Sequence, residues 1–139
     1  EQGELCRCGK QGCLETVASA QAVLRQLKMA TVEQARAAYE AGDANAQRVL
    51  SKAAHYFGIS LANLIGTLNI RKILLTGDMT RFGEGWLELV RSAMQSAALS
   101  RLAEDTRVEF GKLDYRACIL GASAFLLLDD FSLLFLREG

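Results

Sequence analysis

Apolar residues recur at helical spacing over most of the chain. In the longest such segment, 44–68, they fall at positions i, i+3, i+4 and i+7 and form a nearly unbroken stripe. Asp43 precedes this segment and predicts an N-cap. Gly58 lies in its middle, where glycine costs about 1 kcal/mol relative to alanine, and therefore predicts a close contact with a neighbouring element. The pattern indicates one long amphipathic helix.

Further helices and two strands are predicted around it. Helices are expected at 13–27, at 31–41 with Thr31 as N-cap and Gln34 as its reciprocal partner, at 81–99 and at 117–135. Segment 71–77 is leucine-rich and ends at Gly77, which predicts a buried parallel strand, and segment 106–110 alternates and predicts a second strand. This order is typical of an α/β sheet with right-handed crossovers.

Two strands are too few for a stable sheet. The segment before Glu4 contains nothing that predicts another strand, and 139 residues make one domain at most. We therefore expect residues 1–139 to be the C-terminal part of a longer domain.

Charge and hydropathy exclude some classes of function. The chain has 16 basic and 16 acidic residues, so its formal net charge is zero. Nucleic-acid-binding modules show a basic excess or cluster, so we do not expect this chain to contact DNA itself. No signal-peptide pattern is present, and the most apolar run, 122–128, is far shorter than the roughly 20 residues that span a bilayer. We expect a cytoplasmic protein with no membrane partner.

Three of the four cysteines lie close together near the N-terminus. Cys6, Cys8 and Cys13 have the spacing C-x-C-x4-C, and Gly9 and Gly12 permit tight turns between them. Thiolates are preferred ligands of tetrahedral zinc, and a closed structural site needs four ligands. The pattern predicts a zinc loop that supplies three of them. The alternative is three reduced thiols that bind nothing.

The remaining candidate ligands do not complete this set. Cys118 lies near the start of an apolar helix and is predicted to be a core thiol. His55 is the only histidine, and its mid-helix position gives no spacing that suggests a fourth ligand.

Segment 6–15 resembles the C-x-C-G-x-x-G-C-x-E signature of the ROK family of repressors, open reading frames and sugar kinases. Every defining cysteine and glycine and the glutamate, Glu15, are present. Further segments agree with the family pattern along essentially the whole chain, namely 41–43 with the helix after it, 61–69, 73–78 and 121–124.

The resemblance implies a fold and a set of site residues. The fold would be the helix-rich C-terminal half of an actin-like, ribonuclease-H-like α/β domain. Cys6, Cys8 and Cys13 would bind zinc with an upstream histidine that this chain lacks, and Glu15 would accept hydrogen bonds from sugar hydroxyls. A carboxylate can accept from two vicinal hydroxyls at once. The alternative for Glu15 is a carboxylate that only stabilises a helix N-terminus.

Departures from the family pattern favour its regulators over its kinases. The family's phosphate loop and catalytic aspartate are absent from this chain, and Asp43 matches a helix cap instead. Family kinases carry paired glycines after the nucleotide-side strand, whereas this chain has Thr76, Gly77 and Asp78, which places a carboxylate where the nucleotide would lie. Segment 129–139 also resembles the regulators.

The favoured hypothesis is the C-terminal part of the effector-binding domain of a sugar-responsive transcriptional regulator. It would not be an enzyme, its effector would be a sugar or amino-sugar, and it would contact DNA only through a segment absent here. The second hypothesis is a catalytically incomplete fragment of an ATP-dependent ROK sugar kinase. The third is a helical oligomerisation unit without a ligand site.

Four subsidiary expectations concern zinc affinity, the oligomeric state and two pairs of side chains. With three ligands in the chain, zinc should bind weakly or not at all, or with a fourth ligand from another copy. The unpaired edge of the strand at 73–75 should make the chain a homo-oligomer. Trp86 with Phe82 are candidates for a pocket wall, with core packing as the alternative. Arg81 beside Asp78 is a candidate phosphate contact, with a solvated ion pair as the alternative.

Overall fold

The computed structural model describes residues 3–112 and 116–135, without the side chains of residues 100, 116–118 and 129–135. In this part of the chain the elements are the helices α1 (Glu15–Ala18), α2 (Ala20–Leu27), α3 (Val32–Glu40) and α4 (Ala44–Leu68), strand β1 (Lys72–Leu75), helices α5 (Gly83–Ala97) and α6 (Ser100–Asp105), strand β2 (Arg107–Phe110) and helix α7 (Arg116–Phe135). A 3₁₀ helix, Asp78–Phe82, joins β1 to α5.

Helix α4 is the element on which most of the others pack. Its predicted bounds are confirmed, and the Asp43 carboxylate accepts a hydrogen bond from the Ala46 N–H at 2.7 Å. Helices α1, α2, α3, α5 and α6 all contact it. The end of its apolar stripe is less covered than the pattern predicts, because Leu64 and Leu68 are exposed.

Helices α4 and α5 approach each other most closely at Gly58. A Cβ atom at this position would lie 2.6 Å from the Ala93 Cβ and 2.7 Å from the Val90 carbonyl oxygen. Real Cβ atoms do not approach other atoms so closely, so only glycine fits between the helices without a shift. The predicted close contact at Gly58 is confirmed. The core between the two helices includes fully buried side chains of both, among them Leu50, Ile65, Trp86, Leu87 and Val90.

The helix predicted at 13–27 is two helices in the structure. Ser19 is extended, with φ −86° and ψ 156°, and separates α1 from α2. Its hydroxyl accepts a hydrogen bond from the Ala22 N–H at 3.1 Å and so caps α2. The prediction of one continuous helix was wrong because the apolar spacing continues across this cap. Because of this break, α1 and α2 pack on α4 as two separate helices.

Two smaller predictions also differ from the structure. Thr31 caps α3 as expected, but the Gln34 side chain accepts from the Ala30 N–H rather than from Thr31. Segment 81–99 starts as the 3₁₀ helix and becomes α-helical only at Gly83, and α6 between it and β2 was not predicted.

The strands form a parallel pair, as the helical crossover between them requires. Lys72 pairs with Arg107 and Leu75 with Phe110. The prediction that β1 is a buried strand was wrong for most of its length. Leu75 is buried, whereas Leu74 is 55% exposed, because no element of the described chain covers its side.

The two outer edges of this small sheet differ. The N–H groups of Arg107 and Gly111 donate to the carbonyl oxygens of Arg71, just before β1, and of Leu75. Val108, next to Arg107, therefore directs its backbone groups to the outer edge of β2. There the guanidinium of Arg91 donates to the Val108 carbonyl oxygen from Nε at 2.9 Å and from a terminal nitrogen at 2.7 Å. Arg91 thus closes the edge of β2. No strand of the described chain pairs with the outer edge of β1.

Helix α7 covers the segment in which a final helix was predicted. The side chains described for it, 119–128, are exposed, including Phe125 at 71%. Among the helices of the described residues, α7 included, none combines the length and the apolar character needed to cross a membrane. The core-thiol prediction for Cys118 falls outside the described side chains.

The contact at Gly58 gives a stability prediction with a matched control on the same helix. Gly58→Ala should destabilise the protein by about 1 to 3 kcal/mol, because the added methyl group must separate α4 from α5. Gly66→Ala should instead stabilise it by up to about 1 kcal/mol, because nothing lies within 4 Å of the new methyl group and alanine favours the helix. Urea unfolding followed by circular dichroism measures both. Equal effects of the two substitutions would contradict the packing described here.

Candidate functional site

The cysteine loop is a small hairpin held by its backbone. Leu5 and Gln11 form an antiparallel bridge, and the Cys6 N–H donates to the Lys10 carbonyl oxygen at 2.8 Å. Gly9 and Gly12 have φ values of 83° and 73°, which favour glycine, so the predicted need for glycine at these turns is confirmed. The hairpin folds the three cysteines toward one another.

The three thiols form one cluster. The Sγ atoms of Cys6, Cys8 and Cys13 all lie within 4.8 Å of one another, and those of Cys8 and Cys13 are 3.5 Å apart. Two sulfurs bound to one tetrahedral zinc at about 2.3 Å each would be about 3.8 Å apart. The donor set and its spacing therefore fit three ligands of a zinc ion. Within the described residues no histidine, cysteine or carboxylate joins the three as a fourth ligand.

His55 lies away from the cysteine cluster. It is exposed on α4 and lines a groove between α4 and α5 with Ser51, Leu89 and Ser92. The expectation that its position does not make it the fourth ligand agrees with this placement.

The thiols of Cys8 and Cys13 differ in acidity. The pKa of Cys8 is lowered, first because the Lys10 backbone N–H bonds to its sulfur and next because the Cys13 thiol does. The pKa of Cys13 is raised to about 11, chiefly because it keeps its proton in the hydrogen bond with Cys8 and next because of Cys6. Cys8 is therefore the better nucleophile of the pair when no metal is bound.

Glu15 is the first residue of α1 and faces the cysteine loop. Its Oε1 atom forms an ion pair with the Arg7 guanidinium, and its Oε2 atom lies 3.8 Å from the Cys6 Sγ. Arg7 stands between Cys6 and Cys8 in the sequence. The predicted sugar-binding carboxylate is thus in direct contact with the predicted metal loop.

One cavity joins Glu15 to the turn after β1. It has a volume of about 680 Å³, within the usual range for small-molecule sites. Glu15, Thr76 and Asp78 all line it. Gly77, between Thr76 and Asp78, has a φ of 94° and makes the turn. The rest of the wall is largely apolar and comes mainly from Leu14, Ala18, Phe57, Leu75, Met79 and Trp86.

A second, smaller cavity shares part of this wall. Its volume is about 460 Å³, and it is more polar, with Glu4, Thr16 and Arg25 among its lining residues. Both cavities are lined by the same four side chains, Arg7, Glu15, Ser19 and Gln21. Glu15 therefore lies where two binding-sized spaces meet.

Phe82 and Trp86 pack in the core, and Arg81 forms surface ion pairs, as the alternatives to ligand binding predict. Phe82 and Trp86 are both buried in the core, although Trp86 also borders the larger cavity. The Trp86 Nε1 atom is buried and has no hydrogen-bond partner within the described part of the chain. Arg81 is about half exposed and pairs with Glu33, and it lies 4.0 Å from Asp78. These contacts make Arg81 part of a surface ion-pair network.

Sequence reasoning missed two of the residues that shape this site. Arg7 occupies a variable position of the cysteine motif, so nothing in the motif indicated its pairing with Glu15. Gln21 lines both cavities and lies in the first turn of α2, directly after the cap at Ser19. A serine directly before an apolar-periodic segment is an N-cap signal, and it was available in the sequence.

The comparison with protein families decides the classification. The family model described as "ROK family" matches residues 1–129. The chain belongs to the ROK family. The relatives of this ROK chain include a sugar kinase and a transcriptional regulator. It is 32% identical over 140 residues to a glucokinase of Halalkalibacterium halodurans, covering 87% of this chain and 42% of the relative. It is 30% identical over 138 residues to the DNA-binding transcriptional dual regulator NagC of Escherichia coli strain K12, covering 89% and 34%.

A solved structure supports the fold. The chain is similar to the ROK hexokinase from Thermus thermophilus, with a TM-score of 0.74 and 27% identity, over 92% of this chain and 45% of that one. The helix-rich α/β architecture is therefore that of the actin-like ROK sugar kinases. The ROK chain spans between about a third and two fifths of the length of these two curated relatives.

The unequal thiols give a test of the loop geometry. In metal-free protein near pH 8, iodoacetamide should modify Cys8 well before Cys13, because thiolate reacts, the Cys8 pKa lies below 9.0 and the Cys13 pKa is about 11. Peptide mapping by mass spectrometry gives the order. Cys13→Ser should keep most of the Cys8 reactivity, since the first cause of its low pKa is the Lys10 backbone. Faster modification of Cys13 than of Cys8 would contradict the arrangement.

Proposed function

We propose that residues 1–139 are the C-terminal part of the effector-binding domain of a sugar-responsive transcriptional regulator. The effector would be a sugar or amino-sugar bound in the larger cavity, and DNA would be contacted by a segment outside these residues. The observation that carries the proposal is that Glu15 lines that cavity together with Thr76 and Asp78.

The chemistry of the cavity suits a hydroxylated ligand. The Glu15 carboxylate can accept hydrogen bonds from two neighbouring hydroxyls, and Arg7 beside it can donate to a hydroxyl oxygen. The apolar wall, with Phe57, Met79 and Leu14, offers a surface for the carbon-bound face of a sugar ring. Such a mixture of few polar groups and an apolar wall is usual for small-molecule sites.

Asp78 favours the regulator over the kinase. Its carboxylate is 70% exposed on the cavity side of the turn after β1, where a nucleotide phosphate would bring further negative charge. The second candidate function, part of an ATP-dependent sugar kinase, is favoured by the similarity to the H. halodurans glucokinase.

A metal role for the cysteine loop belongs to the same proposal. Cys6, Cys8 and Cys13 would hold zinc, and a fourth ligand would come from outside the described residues or from another copy of the chain. The ion would order the hairpin and thereby fix the start of α1, which carries Glu15.

Self-association is a further part of the proposal. The outer edge of β1 offers unpaired backbone groups, and Leu74 beside it is 55% exposed. Such an edge is a template for pairing with another strand. We therefore expect two or more copies to associate through β1.

Ligand binding tests the function. Calorimetric titration of the wild-type chain with hexoses and N-acetylhexosamines should identify a binding sugar. Glu15→Gln should then weaken it by about 10- to 100-fold, because hydrogen bonds to a charged acceptor contribute about 1.5 to 3 kcal/mol. Glu104→Gln, at an exposed position on α6, is the matched control and should leave the affinity unchanged.

Nucleotides separate the two candidate functions. The regulator proposal expects that the full-length protein does not bind ATP with Mg²⁺ at millimolar concentration. Saturable binding of ATP to the full-length protein would favour the kinase. Sugar binding that is equally strong in Glu15→Gln would remove Glu15 from the site under either function.

The oligomer prediction has its own measurement. Leu74→Lys should shift the protein toward monomer in multi-angle light scattering, because it places a charge at the open edge of β1. Leu99→Lys changes an even more exposed leucine, 75%, away from that edge and should leave the mass unchanged. A wild-type chain that is monomeric at every concentration would contradict association through β1.

A further inference from the structure

Arg7 lies at the junction between the cysteine cluster and the ligand cavity. It follows Cys6 and precedes Cys8, and its guanidinium pairs with Glu15. Arg7 and Glu15 line both cavities. An ion pair at a solvent-exposed position is usually worth little, so its significance here depends on what surrounds the carboxylate.

The two oxygens of Glu15 have different partners. Arg7 contacts Oε1, whereas the buried Cys6 thiol lies 3.8 Å from Oε2 and can donate its S–H toward it. A metal ion replaces thiol protons, because thiolate is the ligand form. Once Cys6 is a thiolate, its donor is lost and a negative sulfur faces Oε2. Of the two partners of Glu15 within the described part of the chain, Arg7 alone then still stabilises the carboxylate.

The charges near Glu15 explain why such a partner is needed. Three thiolates around one Zn²⁺ carry a net charge of about −1. An ionised Glu15 adds a second negative charge close to Cys6. Two like charges at this separation repel each other, most strongly where water is partly excluded, as it is at buried Cys6.

We propose that Arg7 is a positioning residue that allows a metal on the cysteine loop and an ionised Glu15 to occupy neighbouring places. Its guanidinium compensates the charge of the metal–thiolate group and holds the Glu15 carboxylate at the cavity wall. Lys10 lies in the same hairpin, but among the ion pairs of the described residues none includes it. The role therefore belongs to Arg7 and not to basic residues of the loop in general.

This arrangement links metal binding to ligand binding. Because Arg7 and Glu15 line both cavities, a ligand whose hydroxyls donate hydrogen bonds to Glu15 weakens the repulsion between that carboxylate and the metal site. Linkage makes the effect reciprocal, so metal should change the ligand affinity by the same factor. This part rests on the proposed sugar-binding function, whereas the charge role of Arg7 does not.

Metal affinity in a double-mutant cycle tests the proposal. Zinc affinity, and cadmium affinity as a softer and more tightly held probe, are measured by competition with a chromophoric chelator for the wild type, Arg7→Met, Glu15→Gln and the double variant. Arg7→Met should lower the affinity about tenfold, the usual effect of losing a group that supports a ligand. Adding Glu15→Gln should restore most of it. Arg7→Lys should stay near the wild type, and Lys10→Met, which removes a charge from the same loop, should have little effect.

Several outcomes would overturn the proposal. They are an Arg7→Met effect that is unchanged by Glu15→Gln, an equal effect of Lys10→Met, and no measurable binding of either metal by the wild type. Circular dichroism of each variant shows whether the fold persists. Absence of sugar binding would remove the proposed function and the link to ligand affinity, and would leave the metal cycle as an independent result.

Discussion

The close approach of α4 and α5 at Gly58 is the contact on which the rest of the structure depends. The two helices can interlock there because position 58 has no side chain. Their interlocking places Trp86 edge-on against Phe57, with ring centroids 5.8 Å apart. Both rings border the larger cavity, and α5 leads through α6 into β2. This helix–helix contact thus positions two aromatic side chains of the cavity wall and the helix that leads toward β2.

The sequence was sufficient to predict the features of α4 that depend on residues within the helix or next to it. The cap at Asp43, the full extent of α4 and the close contact at Gly58 follow from the spacing of apolar residues and from one glycine. The exposure of Leu74 could not be predicted, because it depends on which elements cover β1 rather than on its own sequence. At Ser19 a local cap competed with a continuing apolar pattern, and the cap prevailed.

The candidate site also has some features that the local sequence predicts and others that depend on the tertiary fold. The clustering of Cys6, Cys8 and Cys13 follows from short spacing and two glycines, so the sequence was sufficient for it. Glu15 and Asp78 are far apart along the chain and share a cavity because α1 packs on α4, whereas the 3₁₀ helix that begins at Asp78 packs on α5. The ion pair of Arg7 with Glu15 required the hairpin to fold back, which the motif alone does not specify.

The hydrogen bonds from Arg91 to the outer edge of β2 make the two edges of the sheet unequal. The Val108 carbonyl oxygen is already engaged by a guanidinium, which leaves the outer edge of β1 as the more open edge for an added strand. Leu74, Leu75 and Thr76 at that side also form part of the larger cavity. Any strand added there would therefore become a wall of the space that Glu15 lines. A strand that completed the sheet at this edge would thus also complete the wall of the proposed binding site.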